Sequence, residues 1–438
     1  MNLASAWPQN IKPTTEYEAA LDHLKGARGN LFITGRAGSG KSTLLRCLKD
    51  LFPEDVVVVA PTGLAAVNVG GQTIHSFFGL PPGLITQENI RRSRNGQIMR
   101  RIKYLFIDEV SMVRSDLMWS IDQCLRINRG RQREPFGGVC LVLFGDLHQL
   151  PPVVQETEVA EHLLSEYGGV FFFCVPALQE GQGTKLLELS NIFRQKDENL
   201  IQILGRICEG EITKDDLAVL NQCVRPLQTL PKNENYLILT PTNKAANEIN
   251  EAQLKALAGN IYHYEAGITG DFNPSAHPTD STLKLKVGAK VILLRNHPDR
   301  HWVNGTLAVI SKLSNKQVWV RINEKEYEVE STAWENRRYA FNSEKDKITE
   351  TVVGSFKQFP LRLAWAMTIH KAQGLTFDKV FINFGQGTFA HGQTYVALSR
   401  CRSLEGLALA RPLRAADILF DRSVLGYREQ FPRLLTAL

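Results

Sequence analysis

Apolar residues come in short runs along this chain, and each run ends in a polar or glycine-bearing turn. The first series is 30–34 (NLFIT), 56–62 (VVVVAPT), 104–109 (YLFIDE) and 139–146 (VCLVLFGD). Runs this short and this apolar, separated by segments of helical length, predict strands buried on both faces of a parallel sheet. A second series, 236–242 (YLILTPT), 379–384 (KVFINF) and 406–411 (GLALAR), predicts another such unit. The pattern gives two α/β halves, divided near residues 176–190. Between about 285 and 350 the period changes. Segments such as LKLKVGAKVILLRN, VNGTLAVI, KQVWVRI and KEYEVE carry alternating stretches with NG and SNK turns, which predicts a small antiparallel barrel inserted into the second half. A polar piece with Pro and Gly, 77–97, interrupts the first half. Neither an internal repeat nor a low-complexity tract is visible.

The chain has 438 residues, enough for several domains with real cores. Its 43% apolar and 22% charged content is ordinary for a soluble protein. No apolar run approaches the roughly 20 residues that cross a bilayer, and the opening MNLASAWPQNIKPTTEYEAAL has no secretory pattern. The expectation is a cytoplasmic protein without membrane association. The seven cysteines form no CxxC, so they read as small buried hydrophobes in a reducing compartment, not as a zinc site or disulfide frame. Net charge is +6, and the positive density of RRSRNGQIMRRIK and RINRGRQR suits a polyanionic partner as well as it suits a solvated surface.

The chemistry starts at GRAGSGKS (35–42), which matches G-x-x-x-x-G-K-[ST] after a predicted strand and before a predicted helix. In that setting Gly35, Ala37, Gly38, Ser39 and Gly40 wrap backbone N–H groups around phosphates, Lys41 places a charge on the β- and γ-phosphates, and Ser42, followed by Thr43, offers a hydroxyl to Mg²⁺. Asp108 and Glu109 end a buried strand. One carboxylate suits a hydrated Mg²⁺ and the other the attacking water. Gln149, in LFGDLHQLPP, sits in a turn fixed by two prolines and suits a γ-phosphate sensor. The transition-state charge needs a cation, for which Arg194 and Arg400 are the candidates; a surface ion pair is the plain alternative for either.

The ordered set GRAGSGKST, APTGLAA, TIHSFF, FIDEVSM, FGGVCLVLFGDLHQLPPV, NIFRQ, LTPTNKAANEIN, AWAMTIHKAQGLTFD and YVALSRCRS resembles superfamily-one helicases of the 5′-to-3′ class, specifically the petite-integration-frequency (PIF) type. The likeness covers roughly residues 30 to 410. It implies an ATP-dependent DNA helicase with two tandem RecA-like P-loop domains: 1–76 with 98–178, and 179–284 with 353–438. It also implies a wedge at 77–97 and an SH3-like β-barrel at 285–352. By matching motif, Arg194 and Arg400 become arginine fingers, and Gln373 and Gly374 lie toward the nucleotide. Thr62, Gly63, His75, Phe77, Thr242, Asn243, Thr368, His370 and Lys371 fall in motifs that face single-stranded DNA. Phe77, Phe78 and Trp302 are candidates for stacking on bases or splitting the duplex.

The implied cofactors are ATP and Mg²⁺. The implied partners are single-stranded and forked DNA, with RNA–DNA hybrids and G-quadruplexes left open. A monomer in solution is expected, with a dimer on DNA left open, and the family's roles lie in DNA repair, recombination and telomere maintenance. Two departures stand out. Tyr17 occupies the place where the family's adenine-reading motif carries a glutamine, and His148 stands where family members often have an aromatic. The near-absence of sequence before the core suggests a bacterial or phage member, nucleoid-associated if bacterial. An RNA helicase, a nucleotide-switched binding module and a small-molecule kinase are the rival readings.

Overall fold

The computed structural model describes residues 7–8, 11, 13–26, 28–154, 156–191, 195, 197–231, 234–342 and 347–435. The first α/β unit is built on a parallel sheet of β1 (Asn30–Thr34), β2 (Val56–Ala60), β3 (Gln72–Thr73), β4 (Tyr104–Ile107), β5 (Cys140–Phe144) and β6 (Thr184–Glu188), in the order β3-β2-β4-β5-β1-β6. Strands β1, β2 and β4 are buried at every position, which is why they read as continuous apolar runs. Helices α1 (Thr15–Lys25) and α2 (Lys41–Leu51) pack on one face of this sheet. The other face carries α4 (Ile74–Phe78), α5 (Gly96–Arg101) and α6 (Ser115–Arg129), while α3 (Gly63–Asn68) lies against β2 and β3.

The second unit opens with the helices Glu198–Glu209 and Lys214–Asn221, which pack in its core, and its sheet begins at β7 (Leu237–Thr240). The antiparallel insertion follows, with β8 (Tyr262–Glu265), β9 (Gly267–Gly270), β10 (Thr282–Leu285), β11 (Lys290–Leu293), β12 (Leu307–Leu313), β13 (Val318–Ile322), β14 (Lys325–Val329), β15 (Thr332–Asn342), β16 (Lys347–Gln358) and β17 (Leu361–Leu363). The chain then returns through β18 (Ala366–Thr368), β19 (Val380–Ile382) and β20 (Leu407–Leu409), completing a parallel sheet in the order β18-β7-β19-β20. Among the described residues, no helix is long and apolar enough to cross a membrane.

Three expected boundaries differ. The first unit does not end at 178: β6 pairs along β1, and the C-terminal stretch comes back to it. Val424, Tyr427 and Phe431 are buried in the first core, and the backbones of Leu186, Pro432 and Leu434 are hydrogen-bonded. The antiparallel insertion runs from β8 to β17, wider than 285–352, because its first strands are short and half-exposed. The polar interruption of the first unit starts later than 77. Phe77 and Phe78 are the end of α4 and lie in the first core, and the helix stops at Gly79 in a left-handed conformation with φ of 71°.

The same packing corrects the expectation for base stacking. Phe77 is 0% exposed, edge-on to Phe78 and Tyr339 at 5.0 and 6.1 Å. Trp302 is buried in the core of the insertion, its indole N–H donating to Arg295 O at 3.1 Å. None of the three rings is presented to a base.

The long hairpin β15–β16 leaves the insertion and docks on the first unit. β3 is only two residues long and pairs with Val59 and Ala60, so the rest of β2 has an open edge on that side. Val58 N–H donates there to the Tyr339 hydroxyl at 3.0 Å. Lys49 pairs with Glu350 at 3.1 Å, and Lys347 pairs with Glu54.

If Phe77 is a core residue, Phe77→Ala lowers unfolding stability by about 3–5 kcal/mol in a denaturant melt. Unchanged stability with weakened single-stranded DNA binding would return this ring to the DNA.

Candidate active site

The phosphate loop leaves β1 at Thr34 and enters α2 at Lys41. Gly35 has a φ of 151°, and a Cβ there would meet Leu189 O at 2.8 Å, so the turn excludes larger residues. The Ser39 hydroxyl is buried inside this cradle without a hydrogen-bond partner among the described residues. Lys41 Nζ folds back on Gly35 O at 2.5 Å and Arg36 O at 3.2 Å. A cavity of about 530 Å³ opens over the loop, from Ile11, Thr14 and Tyr17 at one end to Glu109, Gln149 and Gly374 at the other. Its floor is Ala37–Thr43. An orphan hydroxyl, a ring of backbone N–H groups and a lysine fit a polyphosphate.

Tyr17 borders this cavity with its ring packed inward. It is 5% exposed, its ring lies 5.7 Å from that of Trp7, and its hydroxyl donates to Gly40 O at 2.9 Å. Burial pushes the phenol up to about 12, so it stays a donor and braces the loop.

Asp108 and Glu109 follow β4, with Glu109 in a left-handed turn at φ 50°. Burial raises Asp108 to about 6 and Glu109 to about 7; the Asp108 charge adds to the rise at Glu109, and Lys41 opposes both. A divalent cation beside Asp108 fits this acidic, lysine-flanked corner, with the exposed Ser42 hydroxyl at the start of α2.

The second unit reaches into this corner. Gln373 Nε2 donates to Glu109 Oε2 at 3.2 Å and to Gln149 Oε1 at 2.9 Å. Gln149 Nε2 in turn donates to Asp146 Oδ2 at 2.9 Å. The Tyr395 hydroxyl donates to the same Asp146 oxygen at 3.4 Å and accepts from Ala37 N–H at 3.1 Å. The phosphate loop, the Gln149 turn and the second unit thus share one hydrogen-bonded chain. Gly392 makes the approach possible, since a Cβ there would collide with the carbonyls of His148 and Gln149. Asp146 and Tyr395 were not singled out from sequence. Both lie inside motifs that were, but a tyrosine in YVALSR reads as helix core until its partner is known.

Arg400 is 0% exposed and sits behind the Gln373 loop. It donates to Ala372 O at 3.3 Å and Leu375 O at 3.0 Å, and its charge pulls the Glu109 pKa down. Arg194 lies outside the described residues; nearby Gln195 donates to Ser399 O at 2.8 Å.

On the nucleic-acid side, Thr62 and Thr242 are structural twins. Each ends the turn after a sheet strand and caps the next helix, accepting from Ala65 N–H and Ala245 N–H at 3.3 Å. Asn243 is exposed beside Thr242. A Cβ on Gly63 would lie 2.6 Å from Ala276 Cβ, so the insertion covers the start of α3. His75 is half-buried, and burial, then Arg114, lowers its pKa. His370 is half-buried and Lys371 exposed. Thr368 corrects its expectation: it is 3% exposed and its hydroxyl accepts from Lys371 N–H at 3.2 Å. It shapes the loop instead of facing a phosphate.

Both ring nitrogens of His148 are buried without a partner among the described residues, and burial pushes this imidazole down to about 4, with Asp146 opposing. Arg428, His391 and Arg36 add to the depression. Between about pH 6.5 and 4 only the unfolded chain takes up this proton, so the group's contribution to stability falls as pH falls. His148→Phe removes that slope. The variant gains on the parent by about 2 kcal/mol between pH 6.5 and 5 in paired denaturant melts; parallel curves would exclude His148 as the titrating group.

The family profile described as PIF1-like helicase matches residues 14–216, and one described as Helicase matches residues 344–422. The chain is 32% identical to the ATP-dependent DNA helicase Pif1 of Bdellovibrio bacteriovorus, over 97% of this chain and 93% of the relative. It is 33% identical to human ATP-dependent DNA helicase PIF1, over 92% of this chain and 63% of the relative. Among solved structures, Bacteroides sp Pif1 with ADP-AlF4 superposes with a TM-score of 0.88 at 36% identity, covering 96% of this chain and 97% of that one. Bacteroides Pif1 bound to ssDNA superposes at 0.67 with the same identity and coverage. The likeness covers both α/β units, which are the two RecA-like domains expected. The chain belongs to the PIF1-like helicase family.

Proposed function

We propose that this chain hydrolyses ATP to move 5′ to 3′ along single-stranded DNA and to unwind duplex ahead of it. The observation that carries this reading is the Gln373 amide, which belongs to the second unit and is bonded to Glu109 and Gln149 of the first. A nucleotide-dependent change at Glu109 and Gln149 therefore acts directly on the loop that ends in His370 and Lys371.

ATP enters the cavity over the phosphate loop, with its phosphates on the N–H groups of Gly38, Gly40, Lys41 and Ser42. Lys41 leaves the carbonyls of Gly35 and Arg36 for the β- and γ-phosphates. Ser42 and Asp108 would hold Mg²⁺, which supplies charge neutralisation on the phosphates when bound. Glu109 orients water and accepts its proton; a carboxylate whose pKa is raised by burial is a better base near neutral pH. Gln149 senses the γ-phosphate, and Arg194 and Arg400 supply the positive charge of the second unit. Loss of phosphate releases the Gln149 N–H, the Gln149–Gln373 bond shifts with the carboxamide, and the two units change their grip on the strand. Thr62, Gly63, His75, Thr242, Asn243, His370 and Lys371 face backbone phosphates, a largely sequence-independent mode of binding that weakens with salt. Forked duplex is the working substrate, with RNA–DNA hybrids and G-quadruplexes as further members of a test panel. The chain acts as a monomer in the cytoplasm.

Two outcomes are expected. Strand displacement occurs on a 5′-tailed duplex, is absent on a 3′-tailed one and is abolished by Lys41→Ala; displacement only from the 3′ tail would reverse the assigned direction. Gln373→Ala lowers DNA-stimulated ATP turnover at least about tenfold while nucleotide affinity, read with a fluorescent ADP analogue, changes less than about threefold. Equal losses in both would remove Gln373 from the coupling path.

A further inference from the structure

We propose that the turn between β11 and β12 is a binding site for one divalent transition-metal ion, held by His297, Asp299 and His301. Each offers one ligand atom, and the three atoms lie within 4.8 Å of one another. Tetrahedral zinc with bonds of about 2.0–2.1 Å places its ligand atoms roughly 3.3 Å apart. The three groups are therefore gathered to within small side-chain movements of a coordination shell. The turn is well fixed. His297 N–H donates to Trp302 O and Arg300 N–H to His297 O, both at 3.0 Å. Arg300 takes a left-handed conformation with φ 60°. The Trp302 indole anchors the turn in the core of the insertion.

The imidazoles are also held. The His297 ring lies 4.6 Å from that of His301 and 4.3 Å from that of Trp302, and the His301 ring lies 5.1 Å from that of Tyr327. One exposed bond must be exchanged, because Asp299 N–H donates to His297 Nδ1 at 3.1 Å. Metal binding through Nδ1 takes that lone pair directly. Binding through Nε2 moves the ring proton to Nδ1, which breaks the same bond.

The donor set names the class of ion. Two imidazole nitrogens and one carboxylate oxygen suit Zn²⁺, Co²⁺, Ni²⁺ or Cu²⁺, whereas Mg²⁺ and Ca²⁺ prefer oxygen alone. The site is thus chemically distinct from the cation position at Ser42 and Asp108. Three protein ligands leave a position for water. The turn also continues toward the cross-cleft loop, since a Cβ on Gly305 would lie 3.4 Å from Leu375 Cδ2.

The test is equilibrium dialysis of the full chain against CoCl₂ in saturating Mg²⁺, with the visible spectrum recorded. The parent binds one more Co²⁺ per chain than the His297→Ala/His301→Ala double variant. That ion gives d–d bands without a thiolate charge-transfer band, and EDTA removes it. Single variants bind it at least about tenfold more weakly, while His263→Ala, which alters an exposed histidine on β8, matches the parent. Equal cobalt uptake by parent and double variant overturns the proposal. So does a thiolate band on the additional ion, which would assign it to cysteine. Unchanged thermal melting of the variants in EDTA shows that lost binding is not lost folding.

Discussion

The Gln373 side chain carries the polar link on which the two-unit architecture turns, with Tyr395 and His391 adding further bonds across the cleft. The Gln373 amide has only two N–H groups, and in this structure they reach Glu109 and Gln149 across the cleft. Both acceptors are also groups that a bound triphosphate and its water would engage. Gln149 accepts from Gln373 through Oε1 and gives one Nε2 N–H to Asp146, which leaves one N–H for a γ-phosphate oxygen. A phosphate that takes this N–H pulls on the same carboxamide that holds Gln373, which would pass phosphate occupancy to the second unit. The surroundings keep this coupling sharp. Tyr395 and Arg400 are buried and bonded, so the loop around Gln373 has a rigid backing.

That link also explains why the parallel sheets are built as they are. β1, β4 and β5 of the first unit deliver the phosphate loop, Asp108 with Glu109, and Asp146 with Gln149 to one edge of one sheet. Strand β18 of the second unit delivers the 368–374 loop to the opposing edge, and the helix Gln393–Leu398 brings Tyr395 beside it. Ligands in open α/β sheets collect beyond the carboxyl ends of the strands. Here two such edges face each other, and the cavity between them is the proposed nucleotide site.

Much of this was legible in the chain because the signals are local. The phosphate loop needs fixed spacing over eight residues, and strands buried on both faces leave unbroken apolar runs. What escaped was non-local or depended on burial. Asp146 and Tyr395 meet across 249 positions, and nothing near either one announces the other. Phe77 and Thr368 occupy motifs that the family resemblance turned toward DNA, yet their side chains are claimed by a core and by a loop turn. β6 joins the first sheet, not the second unit, because pairing with β1 decides its place and its five residues carry no separate mark. The C-terminal return through Tyr427 and Phe431 is the same kind of fact: ordinary aromatics whose destination is set by tertiary packing.

The hairpin β15–β16 ties the insertion to the first unit through Tyr339, which is buried in the first core, and through Phe341 and Ile348, which pack against that core. Among the described residues, its polar ties to the first unit are one backbone-to-tyrosine bond and two partly or fully exposed ion pairs. A hydrogen bond contributes about 0.5–1.5 kcal/mol net and an exposed pair about 0–1. Even with the edge contact of Tyr339 on Phe77, about 0.5–1.5 kcal/mol more, these specific terms amount to a few kcal/mol. The apolar burial of Tyr339, Phe341 and Ile348 adds to these terms, so a ligand undocks the hairpin only by a differential affinity that exceeds the sum. At equal identity, this chain superposes better on the ADP-AlF4 complex than on the ssDNA complex. The docked hairpin and the Ala276 segment over Gly63 then describe a molecule with the start of α3 covered. The proposed strand binding at Thr62 would have to displace that cover, so the insertion, and not the nucleotide cleft alone, bears on access to the first unit.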